Sequence, residues 1–317
     1  MVRIAFLAAN GSVMLQGSTQ MNITHDTDFE GLDIAMLALM AAEDVQGQPV
    51  LIDGLQQLRL LRTAIRPFVT ACDIKQRREQ LLHAFYHELQ FAGDWEHYYA
   101  AENCLLDNVL NQRSGLPITL GIVLMHLANS VEIPVRGVCF PGNFLLLFPE
   151  DTPVFIDPFT GEEWDAAQRS LMLRATLGDL TTMDSKYTKE ADQRQILLRL
   201  LSVTKACMLQ SRRLPEALRA SEVLLKMNPD DPYEIRDRGL VYEQLECPQL
   251  AANDYSYFIE QCPQDPVAAV LKVQLAFLDD ADHAQLLQTR EDQVVGNHGQ
   301  DQNLHLRKMP LQVLHQL

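Results

Sequence analysis

Two stretches of the chain repeat each other at an offset of 34 residues: Pro229 pairs with Pro263, Asp231 with Asp265, Pro232 with Pro266, and Ala217 with Ala251. The words NPDDP (228–232) and CPQDP (262–266) close the two units. A fixed period of this length predicts stacked pairs of helices. Small residues such as Ala217 and Ala251 let two helices approach closely, and the closing proline stops one helix before the next begins. A third apolar stretch, VAAVLKVQLAFL (267–278), is placed to cap the stack. Two units are fewer than the three or so that stand alone. The repeat segment is therefore expected to dock on the rest of the chain.

The rest divides by pattern. Apolar spacing predicts helices over Phe29–Ala42, Leu55–Thr70 and Lys75–Leu89, and a further helical stretch over 94–113. Ser114-Gly115-Leu116-Pro117 then reads as a turn and a helix start, since proline is favoured in the first helical turn. Leu120, Val123, Leu124, Leu127 and Val131 follow as one buried face. Three short runs suited to strands come next: Val135–Phe140, Phe144–Phe148 and Val154–Asp157. Their tight links predict an antiparallel sheet. The expected organisation is a leader over 1–20, a first domain over 21–180 and a linker over 181–195. A helical repeat domain over 196–283 follows, and then a disordered tail over 284–317. Met21 reads as a plausible alternative start, and Met1–Ala9 is too short in its apolar core for a signal peptide.

Charge and cysteine usage narrow the function. A net charge of −16 argues against nucleic acid or an anionic membrane as the main partner. The six cysteines (72, 104, 139, 207, 247 and 262) form no CxxC pair and are expected to be reduced in a cytoplasmic protein. No apolar run reaches the roughly 18 residues of a membrane span.

The 34-residue repeat resembles the tetratricopeptide repeat (TPR), with Gly239, Tyr242, Ala251 and Pro263 on its pattern in the second unit. The first unit departs from it, with Lys205 at the glycine position and Met208 at the tyrosine. Residues 114–159 resemble the transglutaminase-like superfamily, whose papain-like core implies a cysteine at a helix start, a histidine on a following strand and an aspartate on the next. Gly115-Leu116-Pro117, Glu132-Ile133-Pro134, Gly142-Asn143-Phe144 and Phe155-Ile156-Asp157-Pro158 resemble the elements around those positions. By type only Asp157 matches; Pro117 takes the place of the cysteine and Asn143 that of the histidine. The phrases LDNVLNQRSGLPITLGIVL, FPGNFLLLF, FIDPFTG and NPDDPYEIRDRGLVYEQL are similar to a SirB-type bacterial family, in which a degenerate transglutaminase-like domain precedes TPRs. The resemblance implies an α+β fold, mainly helical, with a small antiparallel sheet and a helical TPR segment.

Two functions stay open. One is a non-catalytic interaction or regulatory protein that holds a protein or peptide in its TPR groove and needs no cofactor. Counting helix positions from Leu198 and Pro232 places Arg199, Ser202, Ala206 and Leu209, then Tyr233, Arg236, Leu240 and Glu243, along that groove. Of these, Arg199, Tyr233, Arg236 and Leu240 are the partner-binding candidates, because aromatic and guanidinium groups dominate binding hot spots. The alternative is a cysteine-dependent hydrolase or acyltransferase using Cys139 or Cys104. His83 and His87 stand four apart, a spacing that can place two metal ligands on one face, but no third ligand is indicated. Asn111 and Arg113 precede the degenerate site and are candidates to line its cleft.

Overall fold

The computed structural model describes residues 23–278, so the expected leader and tail lie outside the described residues. The architecture is mainly helical α+β. Helix α1 (Ile34–Gln46) begins where Asp33 caps it, the carboxylate accepting from the Ala35 amide at 2.9 Å, and ends on Gly47 in the left-handed region. That cap explains why the helix starts five residues after Phe29, where apolar spacing alone put it. Helix α2 (Leu51–Ile65) is capped from a distance, since Glu43 accepts from the Val50 and Leu51 amides at 2.9 and 3.0 Å. Helix α3 (Ile74–His83) continues into a π-helical turn, Ala84–Glu88.

The predicted helix over 94–113 is corrected. Residues 94–100 are irregular, and only a 3-10 turn (Ala101–Cys104) and helix α4 (Leu106–Gln112) follow. Asp94 Oδ1 accepts from the amides of Glu96 and His97 at 3.1 and 2.9 Å, a local bond that competes with helix formation. Strand β1 (Ala92–Gly93) pairs in parallel with β2 (Ser114–Gly115).

Helix α5 (Pro117–Ser130) is buried from Pro117 to Ala128, the expected fate of a helix apolar on every side. It packs against an antiparallel sheet of β3 (Arg136–Val138), β4 (Leu145–Phe148) and β5 (Val154–Ile156) in that spatial order. All three strands fall within the predicted runs. Helix α6 (Ala166–Leu177) has no counterpart among the predicted elements. Only Leu173 of its residues is fully buried, so its apolar spacing is faint, and an Asp165–Gln168 capping box defines its start.

Residues 181–192 hold a short 3-10 turn (Ser185–Thr188) and are pinned to the sheet by the Ala191 amide donating to Gly137 O at 2.8 Å. Helices α7 (Gln193–Gln210), α8 (Leu214–Met227), α9 (Pro232–Gln244) and α10 (Pro248–Gln261) then pack each on the next. A last helical stretch occupies 266–278. The repeat segment docks where α1 lies against α7 and α8. The Arg219 guanidinium donates to Val45 O at 2.6 Å, the Arg194 guanidinium donates to His25 O at 3.1 Å, and the His25 amide donates to Lys226 O at 2.8 Å. Among the described residues no helix is long and apolar enough to cross a membrane.

Candidate functional site

The first half of the site is the start of α5. Pro117 is its first residue, tolerated because the missing amide hydrogen has no helical partner there. Thr119 braces this end: its hydroxyl accepts from the Leu116 amide at 3.0 Å and donates to Asn103 O at 2.9 Å. Asn103, itself buried, donates to Asp94 and to His97 O, so the loop ahead of the helix is tied to the 94–100 segment.

The second half is the sheet. Asn143 sits in the β3–β4 hairpin, where its Oδ1 accepts from the Phe144 amide at 2.7 Å. Asp157 ends β5, buried at 6% exposure, and accepts from the Phe159 amide at 2.9 Å. Burial pushes its carboxyl above the usual range, against the hydrogen bonds of the Phe159 amide and the Asn143 side chain, which favour the ionised form. Gly121, one turn along α5 from Pro117, brings the helix onto both strands: a Cβ there would lie 2.6 Å from the Phe144 ring and 3.2 Å from Pro158. Gly121 thus sets the early turns of α5, which begins at Pro117, against the segments that carry Asn143 and Asp157.

The chemistry available at that junction is limited. Proline offers no nucleophile, and an amide at 143 has no proton to exchange near neutral pH. The neighbouring thiols are poorly poised. Burial pushes Cys139 up to about 11, despite the charge of Arg199 nearby. A hydrogen bond to Cys207, together with burial, raises Cys104 well above the ordinary thiol range, and the same bond lowers Cys207, which is 1% exposed.

The other candidates scatter. Arg199 acts on the charge of both Tyr98 and Cys139, so it belongs with the first domain's cleft. Tyr233 is 45% exposed and its hydroxyl donates to Asp265 at 3.3 Å. Arg236 lies over the rings of Tyr233 and Phe258, each 5.4 Å from the guanidinium carbon, and its guanidinium donates twice to Asp237 Oδ1. Leu240 packs beside the Ala251–Tyr255–Phe258 cluster. Of the remaining groove positions, Ala206 is exposed, Ser202 and Glu243 are half-buried, and Leu209 is buried. His83 and His87 bring their rings to 4.6 Å, and no cluster of three or more metal-binding side chains exists among the described residues. Asn111 lines a separate cavity of about 290 Å³ with Asp53 and Asp107. Arg113 lies over the Phe91 ring at 4.8 Å.

Two sets of side chains escaped sequence reasoning, the first a pair of tyrosines. Tyr86 donates to Pro158 O at 2.7 Å, and Tyr98 feels the charge of Asp157. Both come from segments remote in sequence from the strand they serve, so no local spacing marks them. Lys205 is the second surprise, and its odd place in the repeat pattern was the signal. It is 2% exposed, and its ammonium donates to Glu234 at 2.7 Å and Asp237 at 2.9 Å. Burial disfavours the ammonium, but the two carboxylates outweigh that and raise it above the usual lysine value.

A helix opening beneath a hairpin and a strand that ends in aspartate, followed by docked helix pairs, defines a transglutaminase-like domain joined to TPRs. Residues 52–202 match the transglutaminase-like superfamily, and residues 204–276 match the tetratricopeptide repeat. A UPF0162 protein of Vibrio cholerae is 36% identical over 253 residues, 79% of this chain and 94% of the relative. Protein SirB1 of Salmonella typhimurium is 37% identical over 63% of this chain and 75% of its own length. UPF0162 protein YchA of Escherichia coli K12 is 35% identical over 68% of this chain and 81% of its own. The chain belongs to the SirB-type family of these proteins. No solved structure matches it.

Proposed function

We propose that the protein is a non-catalytic interaction or regulatory scaffold of the cytoplasm. A protein or peptide partner lies on its TPR surface, and its transglutaminase-like domain acts as support or second contact. What supports this reading is the resemblance at the junction, which puts Pro117 and Asn143 at the positions of the superfamily's nucleophile and base and Asp157 at that of its aspartate. The raised thiols of Cys139 and Cys104 weigh against a displaced cysteine enzyme. Tyr233 is the groove candidate with most to offer a partner, since Arg236 is already held by Asp237 and Arg199 turns toward Cys139 and Tyr98 of the first domain.

The test compares the wild-type chain with Tyr233→Ala, and with a variant in which all six cysteines are serine or alanine. The scaffold reading expects capture of one defined cytosolic polypeptide by the wild type and by the folded cysteine-free chain, and its loss in the first variant. Thiol labelling at neutral pH is expected to be slow at the buried cysteines, with no cysteine outpacing the exposed Cys72. A buried cysteine that labels fast, and whose single substitution abolishes the cellular role of a folded protein, would sink this reading in favour of the enzyme.

A further inference from the structure

Beside the degenerate junction, but lined by none of its three positions, a cavity of about 590 Å³ opens between the π-helical turn, β1 and the loop after Asp157. Its walls are aromatic. Trp95 meets Phe159 edge to face, with ring centroids 4.6 Å apart and planes at 78°, so two rings form a right-angled corner. Tyr86 supplies a third wall and is held in place by its hydrogen bond to Pro158 O.

Two glycines make this arrangement possible. A Cβ at Gly93 would stand 2.6 Å from three atoms of the Phe159 ring, and one at Gly161, at φ +78°, would stand 2.6 Å from Tyr86. Both rings therefore lie directly on backbone, which fixes their planes. Trp95 has no such cover: it is 74% exposed, an unusual position for the largest apolar side chain.

No lysine, arginine, aspartate or glutamate lines the cavity. The imidazoles of His83 and His87 are its only ionisable groups apart from the phenol of Tyr86. The ring faces carry partial negative charge, and the chain as a whole carries −16. An anion has no cationic partner there, whereas a cation gains both from the rings and from the long-range field. Arg113 already occupies a face of Phe91 and Phe159 is 6% exposed, so the open face is that of Trp95, with the rims of Phe159 and Tyr86 beside it.

We propose that this cavity binds a small quaternary or methylated ammonium ion, its cationic head in the corner of Trp95 and Phe159. The site is separate from the partner surface on the TPRs and adjoins the junction at Asp157, whose carboxylate accepts from the Phe159 amide.

The experiment uses the full chain at pH 8 and calorimetry. Choline and free ε-trimethyl-lysine are each titrated, so that an alcohol-bearing and a lysine-derived cation are told apart, and 3,3-dimethylbutan-1-ol serves as the neutral counterpart of choline. Saturable binding of either cation is expected, with the neutral alcohol weaker by about tenfold. Trp95→Ala is expected to weaken the cation by about tenfold without changing the melting temperature, because its side chain is largely in solvent. Phe159→Leu, which keeps bulk and removes the ring, provides a second loss. In the wild type, the emission of Trp95 should change on binding while Trp164, 8% exposed, contributes a constant background. Equal binding of alcohol and choline, unchanged affinity in folded Trp95→Ala, or no saturable cation binding up to about 50 mM each overturns the proposal.

Discussion

Asp157 is kept at an energetic disadvantage. Its carboxyl is raised chiefly by burial, so the native state holds its proton to a higher pH than the unfolded chain does. Stability is therefore lost as pH rises from the ordinary carboxylate range to the raised native value, and that loss persists at neutral pH. Asp157→Asn removes the buried charge while its side-chain oxygen still accepts from the Phe159 amide. The variant should melt about 2–4 °C higher at pH 7, the scale of about 1 kcal/mol in a chain of this size. Its excess over wild type should vanish below the carboxylate range; a lower Tm at pH 7 would show that the Asn143 contact outweighs burial. At Lys205 the buried charge is favoured instead of penalised. Its ammonium neutralises Glu234 and Asp237, and Glu234 is itself pushed up by burial, so the cluster needs the lysine more than the lysine needs any one acid. Lys205→Met leaves two buried carboxylates short of a partner and should cost about 3–5 kcal/mol by denaturant unfolding. A cost under about 1 kcal/mol would mean that Arg236 and Ser221 satisfy both acids without it.

Among the elements, α5 decides how the junction is built. Glycine in a helix interior ordinarily costs about 1 kcal/mol relative to alanine, yet Gly121 faces Phe144 and Pro158 at distances that leave no room for a methyl group. Gly121→Ala should therefore destabilise the fold by about 1–3 kcal/mol, the range for overpacking, rather than stabilise it. A rise in Tm would mean that α5 can slide away from the sheet. The same helix shows what was legible beforehand. Its start at Pro117, its apolar faces and the three strands after it carry strong local signals, so the sequence placed them correctly. Residues 94–100 misled because Trp95, Tyr98 and Tyr99 have helical spacing while Asp94 captures the backbone for a turn. Helix α6 stayed hidden because Leu171 and Leu177 remain exposed and only Leu173 and the half-buried Met172 pack inward, leaving almost no periodic stripe. At the candidate site, the strand ends beside Asn143 and Asp157 were legible from their motifs. The approach of Arg199 to Tyr98 and Cys139 was not, because it depends on how the repeat segment docks.

At the scale of the molecule, that docking ties the two regions into a continuous core. Buried residues of α1, α4, α5, α7 and α8 belong to one apolar cluster, whereas Ala251, Tyr255, Phe258, Ala268 and Leu271 form a smaller one at the far end of the repeats. The first repeat therefore shares its core with the transglutaminase-like domain, and the second closes on itself and the last helical stretch. Polar contacts reinforce the seam: Arg219 binds the C-terminal carbonyls of α1 at Val45 and Gln46, and the Thr204 hydroxyl reaches Cys104 O at 3.4 Å. Cutting the chain at the seam exposes the faces of α7 and α8 that cover α1, including Leu197, Leu200 and Leu201. Each such leucine, if left in water, forfeits about 1.5–3 kcal/mol of burial, a large part of the few kcal/mol that a two-repeat stack has to spare. Residues 193–278 expressed alone should consequently show a broad, low-enthalpy melt, with the lowest protection from amide exchange in α7 and the highest in α9 and α10. The intact chain should melt at a higher temperature and protect α7 together with α1. A sharp two-state transition of the fragment near the temperature of the whole chain would make the repeats an autonomous domain, and the shared core a contact without energetic weight.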